Sequence, residues 1–343
     1  MLSKSKLEEI RKLLENSQNP LFFFDNDADG LCSFLILQRA LGRGKGVAVK
    51  SFPDLNSSYL RKVNELNPDY VVILDKPRVE KAFIEGVYEK AIPIIWIDHH
   101  DVQVEKEILE KTHYFNSYPS SEPVTYICYN VFKKESDMWL AMIGCIGDVY
   151  MPDFASKFCE KYPELFNSEI SAFDSLFTTE VGKAVKMFNF VLKDTTTNVI
   201  KFLKFLMKAN NLYDILEENS NTKGFHERYN QLKAVYDKII KKAEANISDS
   251  KLLFFSYSGE TSMSAEISNE LFFKYKNKLV VVAFRKQDKA NISIRGENAR
   301  KFTLKAIDKI EGATGGGHET ACGVQVPIER LDEFNAELEK LVN

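Results

Sequence analysis

Three carboxylates spaced two apart, Asp25, Asp27 and Asp29, close an apolar run and precede a glycine in LFFFDNDADG, residues 21–30. Where a strand runs out, alternate side chains point the same way, so the three can converge on one small volume. Carboxylates that share a pocket repel unless cations join them, and oxygen-only clusters suit hard divalent ions such as Mg2+ or Mn2+. A DxDxD by itself also fits a solvated, Asp-rich turn. A second cluster, Asp98-His99-His100, follows another apolar run at 92–97 and weighs against the turn. Asp75 closes a third such run, and Asp148 follows an apolar stretch at 139–146 and Gly147. Taken singly, Asp75 reads more readily as a helix cap than as a ligand.

The elements that must position these groups read as alternating helices and strands. A helix at 5–15, opened by the Ser5–Glu8 capping box, precedes a strand at 21–24, a helix at 30–41 and a strand at 47–52. A helix at 57–66, a strand at 70–74, a helix at 79–90 and a strand at 93–97 follow. This alternation predicts an α/β fold with a doubly wound parallel sheet. Ligands of such sheets lie beyond the carboxyl ends of the strands. Asp25, Asp75 and Asp98 each stand where a buried strand gives out, so one sheet edge gathers all three. The GRGKG at 42–46 follows a helix and lacks the spacing of a phosphate loop, so it reads as a helix cap and turn.

Residues 154–247 lose the alternation and carry long helical stripes at 181–192, 197–208 and 225–245. They read as a helical connector, whose Lys-rich faces either line a nucleic-acid groove or only solvate the helices. A smaller α/β lobe is expected over 248–343, with strands at 251–258, 279–285, 291–295 and 322–326 and helices at 264–275 and 299–310. Between them lie Gly315, Gly316, Gly317 and His318. A Gly-rich turn lets backbone N–H groups approach an anion, and with Arg295 at a strand end it suggests a phosphate clamp. The first lobe then spans 1–153.

A chain of 343 residues is long enough for two cores, at about 150 residues per domain. Its 44% hydrophobic and 28% charged residues are those of a soluble globular protein, and no apolar run approaches the roughly 18 residues a membrane span needs. The N-terminus is charged and amphipathic with no apolar signal core, which points to the cytoplasm. With 46 basic against 49 acidic residues the net charge is -3, so polyanion binding requires a local patch. Cys32, Cys128, Cys145, Cys159 and Cys322 show no CxxC spacing, which argues for packed, reduced thiols and against zinc or a disulfide framework.

Taken together, DNDADG at 25–30, Asp75, DHH at 98–100, Asp148, SIRG at 293–296 and GGGH at 315–318 resemble the DHH phosphoesterase superfamily. The likeness is greatest to its DHH-DHHA1 branch of RecJ-type exonucleases, oligoribonucleases and cyclic-dinucleotide phosphodiesterases. The motifs cover both lobes in order but not the connector. The resemblance implies a first lobe with two Mn2+ or Mg2+ ions and a second that binds substrate across a cleft. Asp25 and Asp27 would hold one ion, Asp29, His99 and Asp148 the other, and Asp75 would bridge them. His100 would orient the scissile phosphate or stand behind the ligands, while Arg295, His318 and the glycines would bind phosphate. Two ions about 3.5–4 Å apart can share a water, generate hydroxide in line with phosphorus and neutralise charge on the leaving oxygen. Imidazole ligands tilt the choice toward Mn2+.

The implied substrates are single-stranded DNA or RNA, with an exonuclease activity, or short oligonucleotides and pAp. A non-catalytic scaffold of replication complexes is the third reading, and replication or repair proteins are candidate partners. Two departures stand out. Phe23 lies where the family's pyrophosphatases and short-oligonucleotide enzymes have a histidine, and Lys76-Pro77 follows Asp75 where many relatives have a small residue. Lys76 could pair with a ligand carboxylate, reach substrate or face solvent.

Overall fold

Strands that are apolar on every residue hold only where helices cover both faces of their sheet, and the first half of the chain folds that way. In a computed structural model, residues 1–50, 54–120 and 122–342 are described. They fall into two units, Met1–Glu227 and Arg228–Asn343. The N-terminal unit runs α1 (Lys4–Asn16), β1 (Pro20–Asp25), α2 (Ala28–Leu41), β2 (Lys45–Val49), α3 (Leu60–Leu66), β3 (Tyr70–Leu74), α4 (Lys81–Tyr88), β4 (Ile94–Asp98), α5 (Lys106–Leu109) and β5 (His113–Asn116). Its five strands are all parallel, in the order β2-β1-β3-β4-β5.

Alternate residues of each central strand face opposite layers. Leu21, Phe23, Val71, Ile73, Ile94 and Trp96 pack with Val63 of α3 and Phe83, Ile84 and Val87 of α4. On the other face Phe22 and Phe24 meet Phe34 of α2, at ring-centroid distances of 5.4 and 5.0 Å. Behind α2 lie α6 (Val124–Phe132) and α7 (Met138–Gly147), the latter buried along almost its whole length. A helical series continues with α8 (Ala155–Lys161), α9 (Ala172–Thr178), α10 (Glu180–Leu192), α11 (Thr196–Leu206) and α12 (Tyr213–Leu216), and α10 packs on α7. The helices α8 to α12 of the expected connector therefore lie within the N-terminal unit, and α13 (Lys223–Glu244) runs across the division between the units.

The C-terminal unit adds β6 (Leu252–Ser258), α14 (Ser264–Lys274), β7 (Leu279–Lys286), β8 (Lys289–Arg295), α15 (Ala299–Ile307), β9 (Thr314–His318), β10 (Ala321–Pro327) and α16 (Leu331–Val342). Its sheet order is β6-β7-β8-β10-β9, with β6 and β7 parallel and the remaining pairs antiparallel. Val281, Ile292, Ile294 and Val324 carry its core against Phe334 and Leu338 of α16.

Several local expectations change. The strand expected at 47–52 runs over Lys45–Val49, and its last two expected residues lie outside the described ones. β5, unforeseen, is a four-residue strand defined by pairing with β4 and not by its own pattern. The Gly-rich turn at 315–318 is instead an edge strand, β9. Glycine serves there to let two backbones close up: Gly317 has φ +146°, and a Cβ on it would stand 2.3 Å from the Ala321 carbonyl oxygen.

α2 begins two residues earlier than expected because the Asp27 side chain accepts the Gly30 N–H at 3.0 Å. That cap brings Gly30 back onto the end of β1, where a Cβ would meet the Asp25 carbonyl oxygen at 2.5 Å. Gly30→Ala should therefore force the turn apart, at a cost of about 1–3 kcal/mol, and lower the thermal midpoint by roughly 2–4 °C for each of those. A melting curve superimposable on that of the parent protein would show that the approach is not this tight.

Candidate metal centre

The order β2-β1-β3 means the chain leaves β1 on one side and returns on the other. Such a reversal opens a crevice beyond the strand ends. Asp25 is the last residue of β1, Asp75 comes directly after β3, and Asp98 ends β4. Asp75 adopts φ +58°, a left-handed conformation costly to a residue with a Cβ. Asp148 is the C-cap of α7, where the negative end of the helix dipole disfavours a carboxylate. The placement of Asp148 needs compensation from a positive charge.

The structure brings the predicted ligands into three overlapping groups, each with donor atoms within 4.8 Å of one another: Asp25, Asp27 and Asp75; Asp29, His99 and Asp148; and Asp75, His99 and His100. His99 Nε2 lies 3.4 Å from Asp75 Oδ1 and 3.5 Å from Asp148 Oδ2. His100 Nδ1 is 2.8 Å from Asp98 Oδ1 and 3.9 Å from Asp75 Oδ1. Asp98, fully buried, thus orients His100, a task its position at a strand end did not reveal.

Asp29 has a second duty. Its Oδ2 accepts the Val124 N–H at 2.9 Å and its Oδ1 the Thr125 N–H at 2.7 Å. The N-cap of α6, Pro123, makes no side-chain cap bond, so Asp29 caps α6 from α2. The spacing of DNDADG carries no signal for this, because the partner lies nearly a hundred residues away.

Lys76 proves to pair with Asp25, one of the expected ligands. Its Nζ stands 3.0 Å from Asp25 Oδ1 and 3.9 Å from Asp54 Oδ1, on a side chain 1% exposed. Phe23 lies among the core residues, with its ring 5.3 Å from that of Phe83 and edge-on.

In the C-terminal unit Arg295 faces Ala321 across one ladder and Ala321 faces His318 across the next. Arg295 and His318 therefore occupy one row and one face of the sheet, two strands apart. Arg295 Nε donates to Asn269 Oδ1 at 2.5 Å, and Nη1 to the carbonyls of Ile294 and Cys322 at 2.9 and 3.4 Å. These bonds fix the guanidinium plane, and Nη2 makes no hydrogen bond among the described residues. Burial pulls the Arg295 pKa down to about 10.

Residues 249–343 match the DHHA1 domain family. The whole chain has a fold similar to RecJ from Thermus thermophilus in complex with Mn2+, at TM-score 0.69 and 14% identity, over 99% of this chain and 55% of that one. It is similar also to an exonuclease RecJ bound to manganese, at TM-score 0.67 and 16% identity, over 99% and 95% of the two chains. The chain has the DHH-DHHA1 fold. A further likeness, to CDC45 from Entamoeba histolytica, has TM-score 0.53 and 12% identity and covers 98% of each chain. The chain spans about half the length of the Thermus RecJ. No curated protein matches it by sequence. Among the described residues no helix is long and apolar enough to cross a membrane.

The DHH lobe is short of positive charge at its strand ends. Burial first, and then the neighbouring carboxylates, hold Asp27 and Asp75 well above the usual carboxylate range. Burial and then Asp148 push Asp29 up to about 6. Asp75 Oδ1 and Asp98 Oδ2 are buried with no hydrogen-bond partner. Unpartnered buried carboxylate oxygens are costly, and a divalent cation beside His99, which lies near both Asp75 and Asp148, would remove that cost at Asp75. The donor set of carboxylates and one imidazole fits Mn2+ or Mg2+.

The raised values carry a sign. An acid whose folded pKa lies above its ordinary value of 3.8 keeps its proton longer in the native state, so stability falls as pH rises from about 4 through about 6. Metal-free protein should thus melt at progressively lower temperature across that interval, and excess Mn2+ should restore the midpoint at pH 7. A midpoint that rises through the interval in chelator, or ignores Mn2+, would contradict the unbalanced charge of the site.

Proposed function

We propose that this chain is a metal-dependent phosphodiesterase of the RecJ-like kind, an exonuclease that hydrolyses single-stranded DNA or RNA with Mn2+, or Mg2+ in its place. The observation that carries this reading is the buried, unpartnered Asp75 oxygen, 3.4 Å from His99 and common to two of the three donor groups. It stands at the switch point of a parallel sheet, where such folds place their ligands. The likeness to manganese-bound RecJ structures supports the same choice.

When bound, a divalent cation lowers the pKa of a water toward neutrality and neutralises charge gathering on phosphoryl oxygens. The chain supplies the rest. Asp75, His99 and Asp148 present the donor atoms. Asp98 keeps a proton on His100 Nδ1; burial opposes the imidazolium, but the Asp98 bond and charge prevail and raise the His100 pKa above its ordinary value of 6.5. His100 can therefore donate to a phosphoryl oxygen near neutral pH. In the DHHA1 domain, Arg295 Nη2 and His318 offer donors on one sheet face, suited to a phosphate group.

Asp75→Asn should reduce Mn2+-dependent hydrolysis of an end-labelled single strand by at least about 10²–10³-fold, with an unchanged near-ultraviolet circular dichroism spectrum. An undiminished rate would refute the assignment. The same assay on a dinucleotide and a 20-mer reads substrate length: the exonuclease reading expects the 20-mer to be cut faster, and equal or faster cleavage of the dinucleotide would replace it with a short-substrate phosphodiesterase.

A further inference from the structure

Lys76 is an unusual neighbour for a metal centre. Its side chain is 1% exposed and its Nζ lies 3.0 Å from Asp25 Oδ1, in the group formed by Asp25, Asp27 and Asp75. Asp54 Oδ1, 3.9 Å away, is a second anion for the same ammonium. The backbone there is fixed on two sides. Pro77 holds residue 76 in extended conformations, and the Lys76 carbonyl accepts the indole N–H of the buried Trp96 at 3.0 Å. A surface lysine could swing into water to make way for an ion; this one would have to leave a packed site.

We propose that the Lys76 ammonium takes the place of one of the two cations expected at this centre, so that the chain binds a single divalent ion, among Asp75, His99 and Asp148, with Asp25 neutralised by lysine. The inference rests on the phosphoesterase reading of the site and departs from it in the number of ions. An ammonium 3.0 Å from Asp25 Oδ1 occupies one of that carboxylate's two oxygens and repels a dication at the same carboxylates. The group formed by Asp29, His99 and Asp148 shares no residue with that of Asp25, Asp27 and Asp75. Asp148 and His99 have no ammonium among their ion-pair partners in the described residues, and His99 sits between Asp75 and Asp148. The arrangement keeps two centres of positive charge at the rim but makes one of them part of the chain, independent of metal concentration.

The test counts ions and needs no turnover. Equilibrium dialysis of the full chain against Mn2+, followed by electron paramagnetic resonance, should find one tightly held ion per chain with the six-line signal of isolated Mn2+. Lys76→Met, close in length and uncharged, should take up a second ion and give the broadened multiline spectrum of an exchange-coupled pair, while Lys76→Arg should keep the count at one. Two coupled ions in the parent protein would overturn the proposal and leave the metal centre itself intact. A Lys76→Met protein that stays at one ion would overturn the exclusion by lysine. No bound ion in any variant would sink both the proposal and the phosphoesterase reading. The count on the parent protein stands alone if Lys76→Met does not fold.

Discussion

Mutual repulsion among carboxylates crowded onto one rim of a parallel sheet is the constraint from which the rest of the N-terminal unit follows. Two ionised carboxylates about 5 Å apart repel by about 3 kcal/mol at an effective dielectric of about 20. A handful of such pairs rivals the whole stability of a domain, about 5–15 kcal/mol. Protons, an ammonium or metal ions must therefore enter. The raised pKa values of Asp27, Asp29 and Asp75 express the first answer, and Lys76 on Asp25 is the second. The gap left at Asp75, His99 and Asp148 invites the third.

The surroundings hold the acids in place against that repulsion. Phe22, Phe23 and Phe24 bury both faces of β1, so the strand cannot recoil from its own charged end. Asp27 is tied to the start of α2 and Asp29 to the start of α6, where backbone N–H groups and the helix dipole favour negative charge. Asp27 is thus anchored by a bond within its own turn and Asp29 by bonds to a helix about a hundred residues on. Asp75 lacks such an anchor: its backbone is left-handed and one of its oxygens is unpartnered. A group so placed is stable only with a ligand in view.

Much of this was legible in the sequence. The apolar runs before Asp25, Asp75 and Asp98 announce buried parallel strands, and the rule that such strands present their carboxyl ends to ligands brings the acids together before any coordinates are known. The helical character of 154–247 is likewise plain from its stripes. What stayed hidden depends on distant pairing. The capping of α6 by Asp29, the orientation of His100 by Asp98, and the edge strand formed by Gly315, Gly316, Gly317 and His318 are decided by partners whose position local spacing does not encode. Lys76 stood out as a departure with three readings open; that it turns inward onto Asp25 reflects the excess of anions around it.

The most direct test of the account is the position of bound metal. Crystals of the full chain soaked in Mn2+ and measured at the manganese absorption edge should give an anomalous peak in direct contact with Asp75, His99 and Asp148. An empty rim at saturating Mn2+, with those side chains splayed apart, would contradict it.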